Sequence, residues 1–301
     1  MSTVIFGFVY AVALAATGSS GAARPASTLA RGNLHAWAFE EYDAIARSPQ
    51  EHARVLKEIG LTKAGYICRN AERVAVFEDY IKAYRREGIE LVAVWTPVHT
   101  EKPFDEVQIR AFLDVAARHQ LRAQWWLTLE GKFDTLPVAE RVPTAVARLR
   151  PLVAEGNRRG LKVVLYGHGR APWFSQAENE IAILERLRQE MPSADVGIVY
   201  SFHQSFAQMD RFGTVFPRLK PWLAAVNLNA LGPNAKAGTP VGEGSREKDL
   251  IETIYRSGWF GPVGILSHNR ANDAKANLRE NLEGLAGILR DIGDTAGAAS
   301  Y

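Results

Sequence analysis

From Gly32 onward, short apolar runs alternate with longer stretches whose apolar residues recur at three- and four-residue spacing. The first pattern is that of buried strands and the second that of amphipathic helices. Strand-like runs fall at 33–39, 64–68, 91–95, 122–130, 162–166, 196–200, 224–228 and 263–266. Helical patterns follow each. The first is capped by Ser48, has Pro49 at its opening position and stops at Gly60; the second covers 74–87 with Gly88 as its stop. The others span about 104–120, 139–159, 176–191, 206–219, 246–257 and 273–292. Pro143 and Pro151 predict that the fourth helix is broken or starts late.

Strands that alternate with helices pair in parallel and are buried on both faces. Eight such units, each roughly 30 residues long, predict a single α/β (β/α)8 TIM barrel over 32–293, with 294–301 as a short tail. A doubly wound open sheet would need a glycine-rich phosphate turn after the first strand. The segment Asn-Leu-His-Ala-Trp-Ala-Phe-Glu-Glu-Tyr-Asp at 33–43 has none.

Composition narrows the class further. At 47% hydrophobic and 23% charged, the chain can bury a large core. Its net charge of +3 is spread along the sequence, which argues against nucleic acid as a partner. Cys68 is the only cysteine, so neither an intrachain disulfide nor a thiolate metal site can form. Residues 4–16 are apolar, too short to span a bilayer, and followed by small residues. They predict a cleaved signal over 1–26 and a secreted or periplasmic protein, although Met1-Ser2-Thr3 carries no basic residue; the other location is the cytoplasm. No later stretch reads as a transmembrane helix.

In this architecture chemistry lies where the strands end at their C-termini. The polar and aromatic residues there are His35, Trp37, Glu40 and Glu41 after the first strand, Arg69 and Asn70 after the second, and Trp95, Thr96 and His99 after the third. The fourth adds Trp126, Thr128, Glu130 and Lys132, the fifth Tyr166 and His168, and the sixth Tyr200, Ser201 and His203. The last two add Asn227 and Asn229, then His268, Asn269 and Arg270. Of seven histidines, His35, His168, His203 and His268 fall at strand ends, predicting one histidine-rich rim suited to proton transfer or ligation. Tryptophans interleaved with them offer apolar faces for a sugar ring. Alternation predicts that Trp125 and Trp126 face opposite ways.

The Tyr-Gly-His-Gly at 166–169, Tyr-Ser-Phe-His at 200–203, Asn-Leu-Asn at 227–229, Gly-Glu-Gly at 242–244 and Gly-Pro-Val-Gly-Ile-Leu at 261–266 resemble the second half of the xylose isomerase-like sugar phosphate isomerase/epimerase superfamily. The resemblance implies proton abstraction beside a sugar carbonyl, in an isomerase, epimerase or lyase acting on a small-molecule sugar or glycoside. Their strand-end positions make Glu130, His168 and His203 the catalytic candidates, with Glu130 as base. His35, Trp37, Trp95, Lys132, Tyr166, Tyr200, Asn227, Asn229 and His268 are expected to hold substrate. Many members bind a divalent metal through a strand-5 Glu, a strand-6 Asp, a strand-7 His and a strand-8 Glu. Here Tyr166, Tyr200, Asn227 and Ser267 or His268 stand at those positions. The usual carboxylate site is therefore absent. Zn, Mn or Fe held by His168, His203, His268 and Glu130 is one expectation, and a metal-free site is the other.

Two further functions remain open on the residues alone. A glycoside hydrolase would need a second carboxylate facing Glu130, from Glu40 or Glu41. A sugar-binding barrel without catalysis would explain the departures. Residues 242–245 could present backbone N–H groups to an anion or simply cap a helix. Ser175 and Glu178 read as a capping box.

Overall fold

The computed structural model describes residues 26–301 except 170, 233–237 and 267. Its strands are β1 (Leu34–Trp37), β2 (Lys63–Ile67), β3 (Glu90–Val98), β4 (Gln124–Leu129), β5 (Lys162–Tyr166), β6 (Val196–Ser201), β7 (Leu223–Leu228) and β8 (Val263–Leu266). Each pairs in parallel with the next, and β8 returns to β1, closing the barrel. The intervening helices are α1 (Pro49–Glu58), α2 (Ala71–Glu87), α3 (Val107–Arg118), α4 (Val138–Arg158), α5 (Ala177–Glu190), α6 (Phe212–Leu219), α7 (Glu247–Arg256) and α8 (Ala274–Asp291). No helix among the described residues is long and apolar enough to cross a membrane. The apolar stretch expected to be a signal lies outside the described residues.

The strand alternation sorts side chains into two cores. Trp125 and Leu127 of β4 face outward, where Trp125 packs on Phe112 of α3. Trp126, between them, faces the barrel interior with Trp37, Trp95, Val164, Tyr166 and Val199. Ser48 and Glu51 form a reciprocal capping box at α1, and Gly88 ends α2 in the left-handed conformation. Contrary to expectation, α4 runs unbroken through Pro143 and Pro151. Burial of Ala145, Val146, Leu149, Leu152 and Val153 against the barrel outweighs the backbone bonds those prolines remove.

The short segment after α8 is docked. It contains α9 (Thr295–Ala298), the Tyr301 hydroxyl donates to the Leu29 carbonyl at 3.0 Å, and Asp294 accepts from Ser27. Residues 26–33 and the C-terminal segment thus pack together beside the start of β1, at the opposite end of the barrel from the strand C-termini.

One helical glycine is expected to defy the usual rule. Gly→Ala inside a helix normally stabilises by about 1 kcal/mol. In α8, however, a Cβ at Gly284 would run into the Val241 carbonyl oxygen, which is backbone and cannot rotate away. Gly284→Ala should therefore destabilise by roughly 1–3 kcal/mol. A urea midpoint equal to or above that of the natural chain would contradict this close approach.

Candidate active site

The C-terminal ends of the strands enclose a cavity of about 400 Å³. Its aromatic walls are Trp37, Tyr42, Trp95 and Tyr166, and its polar lining includes Glu41, Arg69, Asn70, His99, His168, His203, Gln204 and His268. Trp37 lies on Trp126 at 4.3 Å between ring centroids and meets Tyr166 edge-on at 5.9 Å. Trp95 stacks on His168 at 5.2 Å and donates its indole N–H to Thr128 Oγ1 at 2.9 Å. Thr128 in turn donates to the Tyr166 carbonyl at 2.6 Å, so three adjacent strands fix the aromatic floor. Burial pushes the Tyr166 phenol up to about 12; its hydroxyl faces Ser201, Trp37 and Gln204.

His203 and His268 are ring neighbours, 4.5 Å apart. Burial, then the proximity of His203, His168 and Arg270, lowers the His268 pKa to about 3. Burial also lowers that of His203. Both are neutral at pH 7. His168 is placed by Ser175, whose hydroxyl accepts from the His168 backbone N–H at 2.7 Å. That use of Ser175 displaces the expected capping box: α5 is preceded by Gln176 without a side-chain cap, and Glu178 pairs with Arg211.

The two glutamates after β1 diverge. Glu40 turns into the protein, where its carboxylate accepts from Ile67 N–H and pairs with Arg73, both at 3.0 Å. Glu41 reaches the cavity, held between Arg69 and Arg270.

Of the residues expected from sequence, Trp37, Trp95, Tyr166, His168, His203 and His268 meet in this cavity. Glu41, Arg69, Asn70 and His99 join them, whereas the other residues assigned to catalysis or substrate do not line it. His35 lies deeper in the barrel, fully buried beside Trp37 and Trp126, because it is the second residue of β1 and not its end. Asn227 is buried in the same layer, in register with Ser201 and Gly264, and Asn229 is buried apart from the cavity. Tyr200 faces outward onto Phe212 at 5.1 Å, since strand alternation puts Val199 inside. Lys132 is exposed. Glu130 is not among the lining residues; its carboxylate ends 4.0 Å from His99 Nε2. Tyr42 and Gln204 were not anticipated; neither stands out except by adjacency to Glu41 and His203.

Nor is the expected metal set assembled. Glu130 is not in the cavity lining with the three histidines, and among the described residues no three His, Cys, Asp or Glu side chains converge as a metal cage requires. The turn at 242–244 is likewise occupied from within. The buried Glu247 carboxylate accepts from the backbone N–H groups of Gly242, Gly244 and Leu231 at 2.8–3.1 Å. These donors are therefore engaged by the chain's own α7.

A closed eight-stranded parallel barrel with its cavity at the strand C-termini is the (β/α)8 TIM-barrel fold. No family model and no curated protein matches the chain. Among solved structures, it is similar to the apo 3-keto-D-glucoside 4-epimerase YcjR of E. coli, with 16% identity, a TM-score of 0.63, and coverage of 86% of this chain and 99% of that one. D-allulose 3-epimerase of Methylomonas sp. aligns at 12% identity and TM-score 0.65, over 86% and 99% of the two chains. A xylose isomerase-like TIM barrel protein of Mycobacterium smegmatis, in complex with magnesium, aligns at 10% and 0.60, over 87% and 97%.

Proposed function

We propose that this chain is a sugar isomerase- or epimerase-like enzyme that moves a proton beside the carbonyl of a free or oxidised sugar or a keto-glycoside. The observation that carries this reading is the convergence of buried indole rings and neutral imidazoles on the lining of one cavity. Trp37 and Trp95 offer apolar faces to sugar C–H groups. His203 and His268, kept neutral by burial, can donate N–H to a carbonyl oxygen and to the enediolate that forms when the neighbouring carbon loses its proton. A neutral imidazole suits that role because it donates without surrendering its proton outright. The likeness to sugar epimerases supports the same class. The residues gathered here do not fit a divalent metal, and no step of the reading passes through one. The export signal read in residues 1–26 belongs to the same proposal and favours a neutral sugar or glycoside over a sugar phosphate.

A glycoside hydrolase is less well supported, since Glu41 is the only carboxylate among the described residues lining the cavity and two arginines hold it. Incubation in D2O with a panel of ketoses, aldoses and 3-keto-glucosides tests the proposal. Deuterium should enter beside the carbonyl, and His203→Gln should slow it by about 10²-fold, as loss of one oxyanion donor does. Quenching of tryptophan fluorescence by a sugar without exchange would identify a binding barrel instead. Neither quenching nor exchange would end the sugar reading.

A further inference from the structure

We propose that His99, positioned by Glu106, is the base that removes the substrate proton; this rests on the sugar-enzyme reading above. His99 follows the last residue of β3 and lines the cavity, with its side chain 41% exposed. Glu106 sits just before α3, seven residues on, and is buried. Its carboxylate collects the backbone N–H groups of His99 and Thr100 at 2.8 and 2.9 Å, the Thr100 hydroxyl at 3.2 Å and the Gln108 amide at 2.6 Å. Burial alone would raise its pKa. The bonds from His99 and the two backbone donors overcome that and leave it lowered, so Glu106 is an anion.

An ionised carboxylate only accepts hydrogen bonds. Glu106 Oε2 lies 2.8 Å from His99 Nδ1, so the hydrogen between them belongs to Nδ1. The Gln108 amide is farther from Nδ1, at 3.3 Å, and has its own acceptor on Glu106. The lone pair of His99 is thus on Nε2. That nitrogen lies 4.0 Å from the Glu130 carboxylate. When Nε2 takes a proton, the resulting imidazolium has a carboxylate on each side. A base oriented and charge-compensated by an acceptor-only partner is the arrangement general-base catalysis uses.

This divides the work among the histidines by their surroundings. Among the described residues no carboxylate lies against His203 or His268, and both are kept neutral by burial, which suits donation and not proton uptake. His99 instead has Glu106 at Nδ1, Glu130 on the side of Nε2, and a partly exposed ring in the cavity lining. In the reaction, a C–H bond beside the carbonyl breaks and an N–H bond forms at His99 Nε2. The C–H electron pair becomes the carbon–carbon π bond, and the carbonyl π pair moves to oxygen, which accepts N–H from a neutral histidine. For isomerisation, His99 returns its proton to the former carbonyl carbon while the hydroxyl proton of the neighbouring carbon shifts to the new oxyanion. For epimerisation, water on the opposite face protonates the original carbon and His99 gives its proton to the hydroxide left behind. Neither route needs a redox partner. Glu106 and Glu130 act through His99 and are positioning residues.

The test uses the full chain and the sugar that shows the fastest deuterium exchange. His99→Gln should lower kcat for exchange by ~10²-fold or more while sugar binding, read by tryptophan fluorescence, stays within about threefold. Imidazole in the buffer should restore part of the rate to His99→Gly, which a purely structural histidine would not allow. Glu106→Gln should lower kcat with little change in KM, and Glu130→Gln should have a smaller effect in the same direction. Unchanged exchange in His99→Gln, with the natural chain active, overturns the assignment of the base while leaving the sugar reading intact. Binding without exchange in the natural chain itself overturns both the reaction and the base.

Discussion

Arg148→Met is expected to lower the folding stability by about 3 kcal/mol or more and to release the loop that carries His99. Arg148 extends from α4 and is only 5% exposed. One of its terminal nitrogens donates to the Glu130 carbonyl at 2.9 Å and the other to the Thr100 carbonyl at 2.8 Å. Its guanidinium also lies over the Phe133 ring at 5.6 Å. It therefore ties the loop after β3 to the loop after β4, one residue beyond His99 on one side and at Glu130 on the other. Burial lowers its pKa against the pull of Glu101 and Glu106, but an arginine stays charged. Methionine fills a similar volume and leaves both carbonyls without their donor. Each such orphaned group costs about 1–3 kcal/mol, and hydrogen bonds to a charged donor lie at the upper end. Denaturant unfolding should show a lower midpoint at unchanged slope. Proteolysis should cut first between 99 and 106. A midpoint within error of the natural chain would mean that Arg148 is a packing residue and not the clasp of the mouth.

The barrel was legible because each of its elements repeats one simple pattern. Periods of 2 and 3.6, broken by Gly60, Gly88 and Gly160, located all eight strands, and β5 and β8 to the residue. Ser48 and Pro49 marked the start of α1 because a cap is decided by its own few residues. Facing and depth were harder. Tyr200 and Ser201 differ by one position, and a one-residue change of register exchanges core and solvent faces. The β6–β7 register shifts between Ile198 and Val199, which no local pattern reports. His35 stands near the start of the run at 33–39, so with β1 at Leu34–Trp37 it lies a layer below the rim, where only residues at the strand's end arrive. Gly65 gave no hint that it is the gap that admits the Trp37 ring, where a Cβ would collide. Glu106 was invisible for another reason. Its partner is seven residues back across a turn, and helix-start glutamates are common enough that only the distance to His99 distinguishes this one.

The misplaced histidine carries its own expectation, in stability and not in catalysis. His35 is fully buried, and among the described residues neither ring nitrogen has a hydrogen-bond partner. Burial, with a smaller contribution from Lys63, lowers its pKa to about 3. An unfolded chain protonates this histidine near 6.5. Between those two values the unfolded state holds a proton that the folded state refuses, so acid favours unfolding. His35's contribution is whole above about pH 6.5 and is lost progressively as the pH falls toward 3. The slope is about 1.4 kcal/mol per pH unit. Total acid sensitivity mixes several groups. Burial also lowers His52, to about 4, and raises the carboxyls of Glu40 and Glu180, which push the other way. Those groups are shared by a His35→Gln variant, so the difference between the two chains isolates the imidazole. Glutamine should cost stability at pH 7.5 by disturbing the packing around Trp37 and Trp126. That cost should shrink by about 1.4 kcal/mol per unit from pH 6 to pH 4 and then reverse sign. Parallel stability curves over that interval would show that His35 titrates normally, and hence that the layer beneath the aromatic floor is open to water.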